Sequence, residues 1–457
     1  MMLLLILACN AFPPWGGVRD PGADTQDTAL APSLTLGLDS EARWESQESG
    51  VATGLAWADL DRDGDADLVV SYGNDITRGP IAVYTNEEGV LEENASFTTT
   101  LLHFYGHLEV ADLNGDGWLD VVASRLLGDQ GFEEPGGVEV YISQEGTLPG
   151  LPTWQFEGLV YSFSPALGDW DLDGDLDLAL ATGEPYYNDP QPNLVFDNDG
   201  TGDFGEAPVW TSPADHSLDA AWVDVDDNGY LDLVFARIGE PHCAYLNGPD
   251  GLEALPGWHA EGDATRHEGN TIDFGDVNQD GAVDLVISDN LQLGGAGTVS
   301  LYCGPTLERC WESEDAPQYQ SAVAIEDVDG DGHLDLVAGS WGPEGGLGAQ
   351  VRIYPGQGEG LWSATPQWLS KGSSVIESLA FEDTDNSDST EIIVEGEGLV
   401  LVPRGRIVEV AGGTAHRGYL SGPGPLRARV LLPTDRDLAV SNWDKDIGNQ
   451  LYGRTAP

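Results

Sequence analysis

Positive charge is what this chain has least of. Only 18 of its 457 residues are Lys or Arg against 79 Asp or Glu, for a formal charge of −61. That shortage excludes a nucleic-acid partner, whose phosphates need a basic surface. It equally excludes docking on an anionic lipid surface through charge. Four cysteines contain no two-cysteine zinc pair, and the eight histidines are scattered. There is no His-Glu-x-x-His, no Gly-x-Ser-x-Gly and no phosphate-cradling glycine loop. No long segment keeps a helical period. The only sizeable apolar run, at the N-terminus, is far too short to span a bilayer.

What the chain has in quantity is glycine, 60 residues, and one acidic device used over and over. DLDRDGDADLVV begins at Asp59, DLNGDGWLDVV at Asp112 and DWDLDGDLDLAL at Asp169. DVDDNGYLDLV follows at Asp224, DVNQDGAVDLV at Asp276 and DVDGDGHLDLV at Asp327, with a weaker DTDNSDSTEIIV at Asp383. Aligned on their last acidic residues (Asp67, Asp120, Asp177, Asp232, Asp284, Asp335 and Glu391), the copies are 53, 57, 55, 52, 51 and 56 residues apart. An eighth partial match, PTDRDLAVSNW, carries Asp437 without a full loop. A period near 50 marks an array whose units bury their faces against one another.

Each unit has the same grammar. One apolar run leads into the loop, a second leaves it, a third follows a turn, and a fourth carries Trp44, Phe97, Trp154, Trp210, Trp258, Trp311 or Trp368. Short runs rich in Val, Leu and aromatics, bounded by Gly and Asn, are strands. Four strands per unit in a circular array predict an all-β fold, a single β-propeller of four-stranded blades. The count is eight blades, or seven if the degenerate last unit is a cap. The fourth-strand pattern at Trp44 precedes any first strand, so the N-terminal strand is expected to close the last blade. The expected layout is a signal or lipobox-like segment over 1–9, a tether over 10–39 and the propeller over 40–455.

The spacing D-x-[DN]-x-[DN]-G-x-x-D places oxygen donors at positions one, three, five and nine, with a backbone carbonyl expected at seven and a tight bend at the position-six glycine. Hard oxygen ligands in a flexible loop suit Ca²⁺; Mg²⁺ demands stricter geometry and Zn²⁺ prefers His or Cys. Without a cation, carboxylates so crowded would repel and shift one another's titration. Position twelve, where an EF-hand needs an acid, is Val70, Ala123, Leu180, Phe235, Ile287 or Ala338. The helical calcium families are thereby excluded.

These repeats resemble FG-GAP/VCBS repeats, the units of integrin α-type propellers and of many bacterial surface proteins, and the Phe274-Gly275 pair matches the name-giving motif. The resemblance covers roughly residues 40–455. It implies a calcium-stabilised propeller with metal loops between strands one and two of each blade. Carried over by position, the implied ligands are Asp59, Asp61, Asp63 and Asp67; Asp112, Asn114, Asp116 and Asp120; and Asp169, Asp171, Asp173 and Asp177. Asp65 and Asp175, at position seven, are counted with them. The next loops offer Asp224, Asp226, Asn228 and Asp232; Asp276, Asn278, Asp280 and Asp284; and Asp327, Asp329, Asp331 and Asp335. The seventh has Ser387 at position five and Asp388 in place of glycine, which leaves Asp383, Asp385 and Glu391 as a weak set. About six strong Ca²⁺ sites are therefore expected.

In propellers of this kind partners bind the face opposite the metal loops. Tyr186, Tyr187, Trp341 and Trp443 lack counterparts in most units and are the candidate ligand-contacting aromatics there. Ile6-Leu7-Ala8-Cys9 is similar to a lipoprotein lipobox, so Cys9 is the lipidation candidate, though no Lys or Arg precedes the run. Cys303 and Cys310, in CGPTLERC, are a disulfide candidate that an oxidising compartment would allow, and Cys243 reads as a buried thiol. The functional expectation is an exported, monomeric, calcium-binding propeller that binds an unidentified protein or glycan and touches a membrane only through a lipid anchor. The alternatives are a polysaccharide lyase or hydrolase and a structural component of a surface assembly.

Overall fold

The protein is described here by a computed structural model. It covers residues 44–393 with short gaps and, beyond them, only the strands at 414–415, 430–431, 439–442 and 450–452. The expected leader, the tether, Cys9 and Trp443 lie outside the described residues, as do Asp329, Asp383 and Asp385.

Antiparallel four-stranded sheets repeat along the chain. The first blade is Ala52–Ala58, Asp67–Gly73, Arg78–Tyr84 and Phe97–Thr98, and the second Phe104–Ala111, Asp120–Gly128, Gly131–Tyr141 and Trp154–Phe156. Blades three to six begin at Ser162, Ser217, Gly269 and Gln318 and end at Asp215, His259, Glu312 and Leu369. The innermost strands touch one another around the ring. A β-propeller results, all-β and single.

Six four-stranded blades form among the described residues, not the eight expected nor the alternative seven. The seventh and eighth repeats do not build a blade each. Their strands Ile376–Glu382, Glu391–Ile393, Ala439–Asn442 and Gln450–Tyr452 share one five-stranded sheet with Trp44–Glu45. Trp44 pairs with Leu451, and Ile376–Glu382 packs against the innermost strands of both the sixth and the first blade. Among the described residues neither terminal repeat shows four strands of its own, and the strands that are described share one sheet.

The core lies between the blades rather than within them. One apolar layer joins Val69, Val83 and Val110 of blades one and two, and another joins Leu233, Phe235 and Val195 of blades three and four. A sheet covered on both faces needs apolar residues on both, which is why DLVVSY reads as a run rather than an alternation. The fourth-strand aromatics fasten these layers. Trp210 meets Tyr245 edge-on at 4.9 Å, Trp258 meets Tyr302 at 5.4 Å, and Trp311 meets Tyr354 at 5.2 Å, each in the next blade. Trp44 makes the same contact with Tyr84 at 5.4 Å, and its indole N–H donates to the Glu92 carbonyl of blade one at 3.0 Å.

Candidate metal loops and an axial bowl

The first five acidic loops are chains of side-chain-capped turns, all built alike. In the first, Asp59 Oδ2 accepts from Gly64 N–H, Asp61 Oδ1 from Asp63 N–H and Asp63 Oδ1 from Asp65 N–H, at 3.2, 3.2 and 2.9 Å. The fifth repeats this with Asp276 on Gly281, Asn278 on Asp280 and Asp280 on Ala282. Asp and Asn cap their own backbone in this way, which explains why either serves at positions three and five. The position-six glycines take positive φ, for example Gly64 at 101° and Gly229 at 91°. Position four does the same without being glycine: Arg62 at 62°, Leu172 at 65°, Asp227 at 57° and Gln279 at 60°. That recurrent left-handed residue was not foreseen from the sequence.

Position nine differs from the others. Asp120 Oδ2 accepts from Leu113 N–H and Oδ1 from Ser143 N–H, at 2.9 and 2.7 Å. Asp67, Asp232, Asp284 and Asp335 make the same pair of hydrogen bonds, to position two of their own loop and to a backbone N–H one or two residues beyond the third strand (Asn86, Asn247, Gly304 and Gly356). These aspartates therefore stitch loop to sheet, whatever else they hold. Burial pushes Asp67 up to about 7, Asp177 to about 8, and Asp120, Asp232 and Asp284 to about 6. Burial also lifts Asp175 to about 7, helped by its hydrogen bond with Asp173 and by the charges of Asp173, Asp169 and Asp171.

Three loops bring one oxygen from each of three acids within 4.8 Å: Asp59, Asp61 and Asp63; Asp169, Asp171 and Asp177; Asp224, Asp226 and Asp232. The Oδ1 atoms of Asp59, Asp112 and Asp169, all at position one, are buried without a hydrogen-bond partner. An acceptor-only oxygen left so is one that a hard cation could satisfy. Of the seventh repeat's candidate acids only Glu391 is among the described residues, in the strand Glu391–Ile393. Cys303 and Cys310 are disulfide-bonded across a paired hairpin, with Cα atoms 5.8 Å apart. Cys243 is a buried free thiol, pushed up to about 12 by that burial.

At the opposite ends of the blades, the turns after strand two and the neighbouring strand ends converge on one open bowl. Asp75 comes from the first blade, Phe132 from the second, Glu184 and Tyr186 from the third, Ile238 from the fourth, Glu268 and Gln292 from the fifth and Trp341 from the sixth. Glu184 is buried and holds its turn by accepting from the N–H groups of Tyr186 and Tyr187, at 3.0 and 2.6 Å. Glu268 likewise accepts from Leu293 and Gly295 N–H, at 2.7 and 2.9 Å. Tyr186 reaches across the mouth and donates to Gln292 Oε1 at 2.5 Å. Tyr187 stacks obliquely on Phe132 at 5.4 Å, outside the bowl, and is 57% exposed. Asp75 Oδ1 is buried without a hydrogen-bond partner, and burial lifts the carboxyl to about 6. Glu377 is fully buried beside Trp341, and burial holds its carboxyl well above the usual range. Of the aromatics singled out by sequence, Tyr186 and Trp341 line the bowl. The acids Asp75, Glu184 and Glu268 were not singled out by sequence: Glu184 and Glu268 lie in turns that diverge between blades, but only the packing of the blades brings the three around one bowl.

Fold and loops together define a repeat β-propeller with carboxylate-lined hairpins. Residues 59–123, 169–235 and 327–394 match the family model described as FG-GAP-like repeat, so the chain carries FG-GAP-like repeats on a β-propeller. No curated protein matches it. Among solved structures it is similar to BBS1N in complex with ARL6DN, in crystals soaked with lead or with mercury. Identity is 12% for both, with TM-scores of 0.51 and 0.50, covering 81% and 82% of this chain and 98% and 97% of those. The Myceliophteria thermophila Cps50 (Swd1) β-propeller domain matches at 10% identity and a TM-score of 0.49, over 78% of this chain and 97% of that one. At such identity the likeness is one of fold.

Proposed function

We propose that this protein is an exported calcium-binding propeller that acts as a binding module, with the axial bowl as its ligand site and a basic side chain of a protein partner as the ligand. The observation that carries this reading is convergence: six blades send residues of unlike kinds into a single bowl. Repeat packing requires no such thing. The chemistry supports a cation. Asp75, Glu184 and Glu268 face apolar and aromatic walls, and among the described lining residues none is basic. Aromatic faces and carboxylates together favour a guanidinium or ammonium group. Calcium in the acidic loops would fix the opposite ends of the same strands. The Cys303–Cys310 bridge supports an oxidising compartment.

The test is a binding screen of the calcium-loaded chain against arginine- and lysine-containing peptides, acidic peptides and a glycan panel. Basic peptides are expected to bind, and Asp75→Asn to weaken them by roughly 30-fold or more. Glycan binding alone, with basic peptides inert, would contradict the proposal, and release of cleaved products would point to the enzyme alternative.

A further inference from the structure

We propose that His242, His267 and Asp289 form a zinc site that clasps the fourth and fifth blades together. The residues come from three separate segments. His242 stands just before the strand Cys243–Tyr245 of the fourth blade, His267 follows the 3-10 turn Ala264–Arg266 that links the blades, and Asp289 ends the strand Asp284–Asp289 of the fifth. One ligand atom from each lies within 4.8 Å of the other two. All three side chains are buried, with His242 at 0%, His267 at 4% and Asp289 at 3% exposure.

Their hydrogen bonding leaves a gap where a metal fits. Both ring nitrogens of His267 are buried with no hydrogen-bond partner. His242 Nε2 lies 3.2 Å from Asp289 Oδ1, yet it is not aligned to hydrogen-bond and is likewise without a partner. Tetrahedral zinc, bound at about 2.0–2.1 Å, sets its ligand atoms roughly 3.3 Å apart, which matches that contact. The rings of His242 and His267 stand nearly perpendicular, 81°, with centroids 4.6 Å apart, so a small tilt of His267 would bring a nitrogen to the same point. The surroundings hold the carboxylate in place, since Asp289 Oδ1 also accepts from Glu268 N–H at 2.8 Å. Imidazole nitrogens distinguish this donor set from the all-oxygen loops and select zinc over calcium.

One feature of the site must change on binding. His242 Nδ1 accepts from Arg237 N–H at 3.2 Å, which leaves the ring proton on Nε2. Zinc needs the Nε2 lone pair. The proton therefore leaves Nε2, a proton from solvent takes Nδ1, and the long Arg237 contact is given up. Binding thus switches the His242 tautomer with no net proton lost from that ring.

The experiment uses the full chain saturated with calcium, so that the acidic loops are filled, and titrates zinc by calorimetry with cobalt as the optical probe. One zinc per chain is expected, bound more tightly than about 1 μM, with water as the fourth ligand beside the three side chains and a tetrahedral cobalt spectrum. Nitrogen-15 spectra should show His242 passing from the Nε2–H to the Nδ1–H form as zinc is added. His267→Asn, which removes no hydrogen bond made by that side chain, should fold and lose more than the 10–100-fold that loss of a supporting group costs. No zinc uptake by the calcium-saturated parent would overturn the proposal. So would zinc affinity unchanged in His267→Asn, or a His242 tautomer indifferent to zinc.

Discussion

At the scale of single residues the acidic loops contain two kinds of aspartate. Position nine also holds backbone, as where Asp120 ties Leu113 to Ser143, even though Asp177 and Asp232 join the three-acid groups of their own loops. Positions one and three point oxygens inward, as Asp59 and Asp61 do. The two kinds should separate on mutation. With EDTA present, Asp120→Ala is expected to cost about 3 kcal/mol in urea unfolding, because two charge-assisted bonds vanish together. Asp61→Asn should leave EDTA stability within about 0.5 kcal/mol and appear only as weakened calcium binding. Equal losses from both variants in EDTA would deny the distinction. Leu172 offers a second probe, since it is 44% exposed and held at a φ of 65°. Leu172→Gly should raise stability by about 0.5 kcal/mol, the relieved strain exceeding the entropy that glycine adds to the unfolded chain.

At the scale of elements, strands and loops were legible because one unit recurs. The seven copies show which positions tolerate Asp or Asn and where the apolar run resumes, and the strands that follow Asp67, Asp120 and Asp177 begin at those residues. Legibility ended where repetition did. Counting loops gave more blades than form among the described residues, where pairing pools Ala439–Asn442 and Gln450–Tyr452 into the sheet of Ile376–Glu382. The bowl was half visible. Tyr186 and Trp341 stood out as aromatics outside the repeat, but Asp75 looked like any turn aspartate. Its burial depends on blades far from it in sequence. His242, His267 and Asp289 were invisible for the same reason: they have no spacing in common with a known motif, and only the packing of two blades brings them together.

At the scale of the whole molecule, charge and stability are linked through the acidic loops. Asp67, Asp120, Asp177, Asp232 and Asp284 are raised by burial from 3.8 to between about 6 and about 8. A raised carboxyl gives stability that is fully present below the unfolded value and is lost as pH climbs through the folded one. The EDTA-treated protein should therefore be less stable at pH 8 than at pH 5 in urea unfolding. Calcium, which needs the ionised form, should flatten or reverse that slope. An EDTA-treated protein more stable at pH 8 would contradict the burial of these groups. The bowl should follow the opposite trend with ligand: a basic peptide should weaken as pH falls below about 6, where Asp75 takes up a proton.

Divalent ions are proposed to fill the acidic hairpins and thereby brace the propeller. Thermal unfolding of the full chain at pH 7.5 tests it most directly, comparing EDTA, excess magnesium and excess calcium. Calcium is expected to raise the midpoint by about 10 °C or more over EDTA, with magnesium far less effective. Identical midpoints in all three solutions would contradict the account.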